Sequence, residues 1–159
     1  MRAALDAPIR TTAGVLDRIL AAGHPALIVF ETPDCGPCQS LRPILDELAR
    51  EFQHRVLIVR VTEAAEGWLA ARHHLAFVPT LLLWRDGMEH ARIKGNPGRV
   101  ALRAHLECLL HGEPPPELAE GPRHTLQACF GAPGRTRRRP APRALLLAGT
   151  PVAGTPAAL

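Results

Sequence analysis

The chain has 159 residues, 47% of them hydrophobic and 21% charged, the balance of a soluble globular protein with material for one core. Apolar runs such as 26–30 and 79–84 reach five or six residues, far short of the roughly 20 that span a bilayer; collagen, coiled coil and a wholly disordered chain are excluded by composition. The net charge of +4 hides a division, because residues 1–120 hold 13 Lys and Arg against 15 Asp and Glu, whereas residues 121–159 hold six Arg and no acid. The basic character therefore belongs to a tail, and the near-neutral body offers no nucleic-acid surface.

Thr12 reads as a helix cap, followed at helical spacing by Val15, Leu16, Ile19 and Leu20, with Gly23 as the stop. Ala26 to Glu31 is a short β-branched run, expected to be a buried strand. After the turn Thr32-Pro33-Asp34, Cys35 opens a helix with apolar positions Leu41, Ile44, Leu45, Leu48 and Phe52, and Pro43 falls inside it and should kink it. Arg55 to Thr62 reads as a second buried strand, and Trp68, Ala71, Arg72 and Leu75 as a weaker helical stripe.

Val78-Pro79 leads into a strand over Thr80–Trp84, and Asp86-Gly87 is a strong hairpin signal, with 89–94 as the return strand. Leu102, Leu106 and Leu109 mark a last helix, and Ile9–Thr11 adds an edge strand in front. The order implies crossover-linked parallel strands followed by a hairpin, hence a mixed sheet in an α/β fold. Residues 112–159 contain nine Pro and six Gly, a composition that resists a packed core. The expected organisation is a domain over 1–111 and a Pro/Gly/Arg-rich tail over 112–159 without fixed structure.

The four cysteines are too few for a disulfide framework in a chain of this length. The first ten residues, with Asp6 and Pro8, do not read as a secretion signal, and a cytoplasmic location is expected. There a C-x-x-C points to catalysis or metal rather than to a structural staple. Cys35-Gly36-Pro37-Cys38 follows a strand and opens a helix. A helix start carries partial positive charge and free amide donors, which stabilise a thiolate. Cys35, at the exposed start, is the attacking thiol, and Cys38, one turn in, is the resolving one. Gly36 and Pro37 suit the tight entry.

Cys-Gly-Pro-Cys, Pro43 in the same helix, Val78-Pro79-Thr80, Asp86-Gly87 and Gly95 together resemble the thioredoxin family over roughly residues 9–110. The resemblance implies a three-layer fold with a central mixed sheet of four or five strands flanked by helices. It implies that Pro79 is a cis-proline facing the cysteine pair, that the backbone of Val78 pairs with an extended substrate segment, and that Gly95 lies beside the substrate groove. It also implies disulfide reduction in protein substrates, restoration of the dithiol by a reductase such as a thioredoxin reductase, and no cofactor beyond a Cys35–Cys38 disulfide. No metal, membrane or nucleic-acid role is expected, and the protein is expected to be a monomer.

Two positions depart from the family pattern. Asp34 stands where the family has Trp, putting negative charge beside Cys35, which raises a thiol pKa. Val29 stands where the family has a buried acid that helps deprotonate the resolving thiol. Side chains alternate along a strand, so Val29 and Glu31 share a face, with Glu31 one pleat nearer the cysteines. Glu31, oriented by Arg60 on the neighbouring strand, is therefore a candidate proton acceptor for Cys38; the competing reading is a solvated strand-end carboxylate in salt contact.

Zinc held by Cys35, Cys38, Cys108 and His111 has the ligand types, but the fold separates the two pairs. Cys108 and Cys129 read as a helix-face thiol and a tail thiol, Trp68 and Trp84 as core aromatics, and Arg135 to Arg143 as a solvated basic stretch. The alternative to an enzyme is a thioredoxin-fold binding or redox-regulatory module with weak reductase activity.

Overall fold

The computed structural model describes residues 6–62, 67–117 and 120–125. The elements follow in the order β1 (Ile9–Thr11), α1 (Ala13–Ala21), β2 (Ala26–Phe30), α2 (Gly36–Glu51), β3 (Leu57–Val61), α3 (Gly67–Arg72), β4 (Phe77–Val78), β5 (Thr80–Arg85), β6 (Met88–Lys94), α4 (Arg99–His111) and β7 (His124–Thr125). Five strands form one sheet in the order β1-β3-β2-β5-β6, with β1, β3 and β2 parallel and β5 and β6 antiparallel to their neighbours. β4 and β7 form a separate antiparallel pair.

The alternation of side chains on β2 divides the core into two layers. Ala26, Ile28 and Phe30 pack with Leu16 of α1, Leu69 and Ala70 of α3, and Val59 and Val61 of β3. Leu27 and Val29 pack with Leu41, Leu45 and Leu48 of α2 and with Leu102, Leu106 and Leu109 of α4. All five β2 residues are buried, as befits a central strand covered on both faces. This is the three-layer mixed architecture expected from the sequence.

α2 runs through Pro43 with its apolar stripe on the sheet. It is joined to α4 on the surface by Arg99, which reaches Glu47 at 2.8 Å and Glu51 at 3.1 Å, and by an Arg103–Glu51 ion pair. Asp86 and Gly87 turn the hairpin with φ of 53° and 80°, the doubly positive turn that matches the twist of the flanking strands. Thr12 stands at the N-cap of α1, but its side chain makes no capping bond.

Trp84 donates its indole N–H to the Leu20 carbonyl at 3.1 Å and packs on the core as expected. Trp68 is 53% exposed and does not join it, which corrects the core reading. α3 is only six residues long, and the positions facing the core are Leu69 and Ala70, flanking the tryptophan's stripe rather than sharing it.

His73 follows α3, its ring centroid 5.0 Å from that of Phe30. Burial, then the charge of Arg72, holds its imidazole below the ordinary value. As pH falls through about 6.5 the unfolded chain takes up this proton before the native one does. The group's contribution to stability is therefore complete above that pH and is lost between the unfolded value and the lower native one. The urea midpoint of His73→Gln should consequently fall less between pH 7.5 and pH 5.5 than that of the unaltered protein; parallel declines would contradict the assignment.

Candidate active site

The sharp transition from β2 into α2 creates the site. Thr32 accepts the Cys35 amide at 3.4 Å through its carbonyl, closing the turn, and Cys35 becomes the N-cap of α2 in an extended conformation. Its Sγ accepts the backbone N–H of Cys38 at 3.2 Å. The sulfur thus performs the capping that a serine or aspartate oxygen performs elsewhere, and it lies where the helix amides converge.

Gly36 and Pro37 form the first turn. Gly36 is exposed, and a Cβ there would meet nothing within 4 Å. Pro37 costs no hydrogen bond, because its missing N–H lies among the unpaired donors of the first turn. Cys35 and Cys38 are joined by a disulfide, with their Cα atoms 5.2 Å apart.

Both cysteines are fully buried. For Cys35 this corrects the expectation of an exposed thiol. Although most of α2 packs on the α4 side of the sheet, its first turn reaches over the end of β2. There the two cysteines pack with Val78, Leu69, Ala70 and Leu75 in the layer of α1 and α3.

Val78 is thereby placed in the cysteine cluster, and the Val78–Pro79 peptide is cis. Pro79 is buried, and its carbonyl accepts the Gly95 N–H at 2.8 Å. Gly95 has φ +86°, a conformation open to glycine, and it too is buried. The residues named from the sequence on either side of the cysteine pair are therefore contiguous: Val78, Pro79 and Gly95 follow one another through covalent and backbone hydrogen bonds.

Glu31 lies just beyond β2 and is 1% exposed. Arg60 faces Val29 in the parallel β2–β3 register, but its guanidinium reaches forward to donate to Glu31 Oε1 at 2.5 Å. Arg42, from α2, approaches the same oxygen at 3.8 Å. The sequence did not single out Arg42, although it stands four residues after Cys38 and so on the same helical face. Glu31 Oε2 and Arg60 Nε are buried without a hydrogen-bond partner among the described residues. Glu31 is therefore buried rather than solvated, which corrects that part of the competing reading, while the salt contact at the strand end that the same reading named is present. Val29 is fully buried among the hydrophobic side chains of the α2–α4 layer.

A segment that the sequence pattern does not mark also reaches the site. Residues 120–125, within the stretch expected to lack fixed structure, run back along the domain, and β7 pairs with β4 at Phe77–Thr125 and Val78–His124. The signal was weak because the contact is made by backbone atoms and glycine, not by a periodic apolar face. Cys108 is a half-buried thiol on α4. Cys129 and Arg135 to Arg143 lie outside the described residues. Among the described residues no group of three His, Cys, Asp or Glu side chains could hold a metal ion, and no helix is long and apolar enough to cross a membrane.

The fold and the N-capping disulfide define a thioredoxin-fold redox protein. The family model described as Thioredoxin matches residues 9–108. Thioredoxin 1 of Synechococcus elongatus is 28% identical over 97 residues, which cover 61% of this chain and 91% of that protein. The thioredoxin of Mycobacterium tuberculosis is 30% identical over 96 residues, covering 60% of this chain and 83% of that protein. Among solved structures, a point mutant of thioredoxin from Halobacterium salinarum NRC-1 superposes with a TM-score of 0.62 at 26% identity, covering 69% of this chain and 96% of that one. Thioredoxin from Trypanosoma brucei brucei shares the fold at a TM-score of 0.63 and 20% identity, over 70% of this chain and 97% of that one. The chain belongs to the thioredoxin family, and with its Cys35–Cys38 pair it has the character of a thiol–disulfide oxidoreductase.

Proposed function

We propose that the protein reduces disulfides in other proteins through the Cys35–Cys38 dithiol. The observation that carries this reading is the position of Cys35 Sγ at the mouth of α2, receiving the Cys38 amide and within bonding reach of the Cys38 sulfur. In the reduced protein the Cys35 thiolate attacks one sulfur of a substrate disulfide. A Cys35–substrate bond forms, and the other substrate sulfur leaves as a thiolate that takes up a proton. Cys38 loses its proton and attacks Cys35 Sγ. The Cys35–Cys38 bond forms, the mixed disulfide breaks, and the second substrate thiol is released. The substrate gains two electrons and the protein loses them. A reductase partner of the thioredoxin reductase type returns them, and no other cofactor is needed.

In this scheme Gly36 and Pro37 shape the exposed rim of the nucleophile. Val78, Pro79 and Gly95 form the edge against which an extended substrate segment lies. Glu31 accepts the Cys38 proton, and the reading is supported by its burial beneath α2 with one unpartnered oxygen. The protein works as a cytoplasmic monomer.

The second reading, a binding or redox-regulatory module, is favoured by the burial of both cysteines and by Asp34 beside the nucleophile. Insulin reduction in the presence of dithiothreitol separates the two. Catalytic amounts of the protein should accelerate insulin precipitation well above the rate with dithiothreitol alone. Equal rates with and without the protein would leave the binding module as the better account.

A further inference from the structure

The edge of β4 beside the cysteine cluster is not open: the chain's own residues occupy it. β7 pairs antiparallel with Phe77 and Val78. Just before it, the Asn96 N–H donates to the Pro122 carbonyl at 2.9 Å and the Gly121 N–H donates to the Lys94 carbonyl at 3.2 Å. The two segments approach so closely because both contact residues, Gly95 and Gly121, lack a side chain. A Cβ on Gly95 would stand 2.2 Å from the Gly121 carbonyl oxygen, and a Cβ on Gly121 would stand 1.6 Å from that of Asn96. The Arg123 guanidinium lies 4.7 Å above the centre of the Phe77 ring and is held by Glu120 at 2.7 Å, a cation–π contact with its own anchor.

We propose that residues 120–125 form an intramolecular strap that closes the β4 edge and must lift before a protein disulfide can reach Cys35. The proposal rests on the reading of Cys35–Cys38 as the exchange centre. Thiol–disulfide exchange needs a sulfur that a partner can approach, and in the strapped state neither cysteine is accessible. An extended partner segment would add to the sheet through the same backbone groups of Phe77 and Val78 that the strap now uses, so the two exclude each other. Being tethered, the strap competes at high effective concentration.

The strap's hold is nonetheless local. It pairs only two residues of β4 and is linked to α4 through Pro114, Pro115 and Pro116, so it belongs to the low-stability class of element that opens without global unfolding. The apparent affinity for a protein substrate is then reduced by the fraction of molecules in the open state, which raises KM and leaves kcat near its intrinsic value.

The test uses the full chain carrying Gly121→Val, with Arg123→Ala as a milder second variant. Three quantities are read: hydrogen exchange at the Asn96 amide, the rate at which dithiothreitol reduces the Cys35–Cys38 disulfide, and KM for insulin. Gly121→Val should strip protection from Asn96, speed the reduction about tenfold, which corresponds to about 1.4 kcal/mol, and lower KM with little change in kcat. Arg123→Ala should move all three in the same direction by less. A synthetic peptide of residues 120–125 should then inhibit the Gly121→Val variant more than the unaltered protein.

Continued protection of Asn96 in Gly121→Val, or loss of protection with both the reduction rate and KM unchanged, would overturn the strap. Failure of every form to reduce insulin would sink the reductase reading alone, because the rate of reduction of the protein's own disulfide still reports the strap.

Discussion

In the Cys38→Ser variant, turnover of insulin should fall to the level of dithiothreitol alone while the protein accumulates as mixed disulfides. The reason lies in the division of labour at the start of α2. Cys35 caps the helix and receives the amide of residue 38, a backbone donor that serine retains, so the nucleophile stays activated. The resolving step needs a second sulfur 5.2 Å away, Cα to Cα, and serine cannot supply it. Cys35→Ser should be equally inactive and form no mixed disulfide, because the remaining Cys38 sits one turn inside the helix. The two variants are compared by non-reducing electrophoresis after incubation with oxidised insulin. Adducts of equal yield in both would show that either sulfur can begin the exchange, against the assignment of Cys35 as sole attacker.

Removal of Glu31 should be the most damaging single change away from the cysteines. Its carboxylate and the Arg60 guanidinium are 1% and 7% exposed as residues, and each is the other's direct hydrogen-bond partner. Breaking a buried ion pair by deleting one member costs about 3–5 kcal/mol, since the survivor is left charged without compensation. That is a large part of the roughly 5–15 kcal/mol by which a domain is stable. Glu31→Ala strands Arg60. Arg60→Ala leaves Glu31 with Arg42 at 3.8 Å, so it should cost less.

Replacing both by apolar residues, as in Glu31→Leu with Arg60→Met, should recover most of the loss, and urea titration of the three variants checks the order. Stability alone does not address the proton-acceptor role. Glu31→Gln keeps an acceptor and removes the charge, so insulin reduction by this variant should slow and its pH profile should change. An unchanged profile in a folded Glu31→Gln protein would confine the residue to a structural role.

The fold was legible where side-chain pattern carries it. Leu41, Leu45 and Leu48 mark the buried face of α2 in the sequence and in the structure alike, and Asp86-Gly87 announces its turn because few residues adopt two successive positive φ angles. The contiguity of Val78, Pro79 and Gly95 with the cysteines was legible only as a resemblance, since nothing in local spacing brings residues 35, 78 and 95 together.

Three features were not legible, for different reasons. Residues 120–125 bind through main-chain groups and the Gly95–Gly121 approach, so their Pro/Gly-rich surroundings masked the pairing. The burial of Cys35 depends on its packing with Val78, Leu69, Ala70 and Leu75 from distant parts of the chain, which a helix-start rule does not describe. Arg42 joins Glu31 and Arg60 only because the first turns of α2 pass over the end of β2, a tertiary arrangement. The absence of the family's buried acid at Val29 was visible, and the alternation rule pointed to Glu31 two residues on, where the structure places a buried carboxylate paired with Arg60.

Asp34 is exposed, so solvent and salt weaken its opposition to the Cys35 thiolate, whereas the helix amides act on the sulfur directly. The reactivity of Cys35 therefore rests on whether the helix amides outweigh Asp34 together with the burial of the sulfur among apolar side chains, which raises a thiol pKa. The measurement that tests it most directly is the pH dependence of alkylation of Cys35 in the reduced protein, read as the midpoint of the rate profile at reagent concentrations low enough that the rate stays proportional to reagent. The helix start should place that midpoint below about 8.5, the value of a free cysteine thiol. A midpoint at or above it would contradict the claim that the start of α2 makes Cys35 a nucleophile.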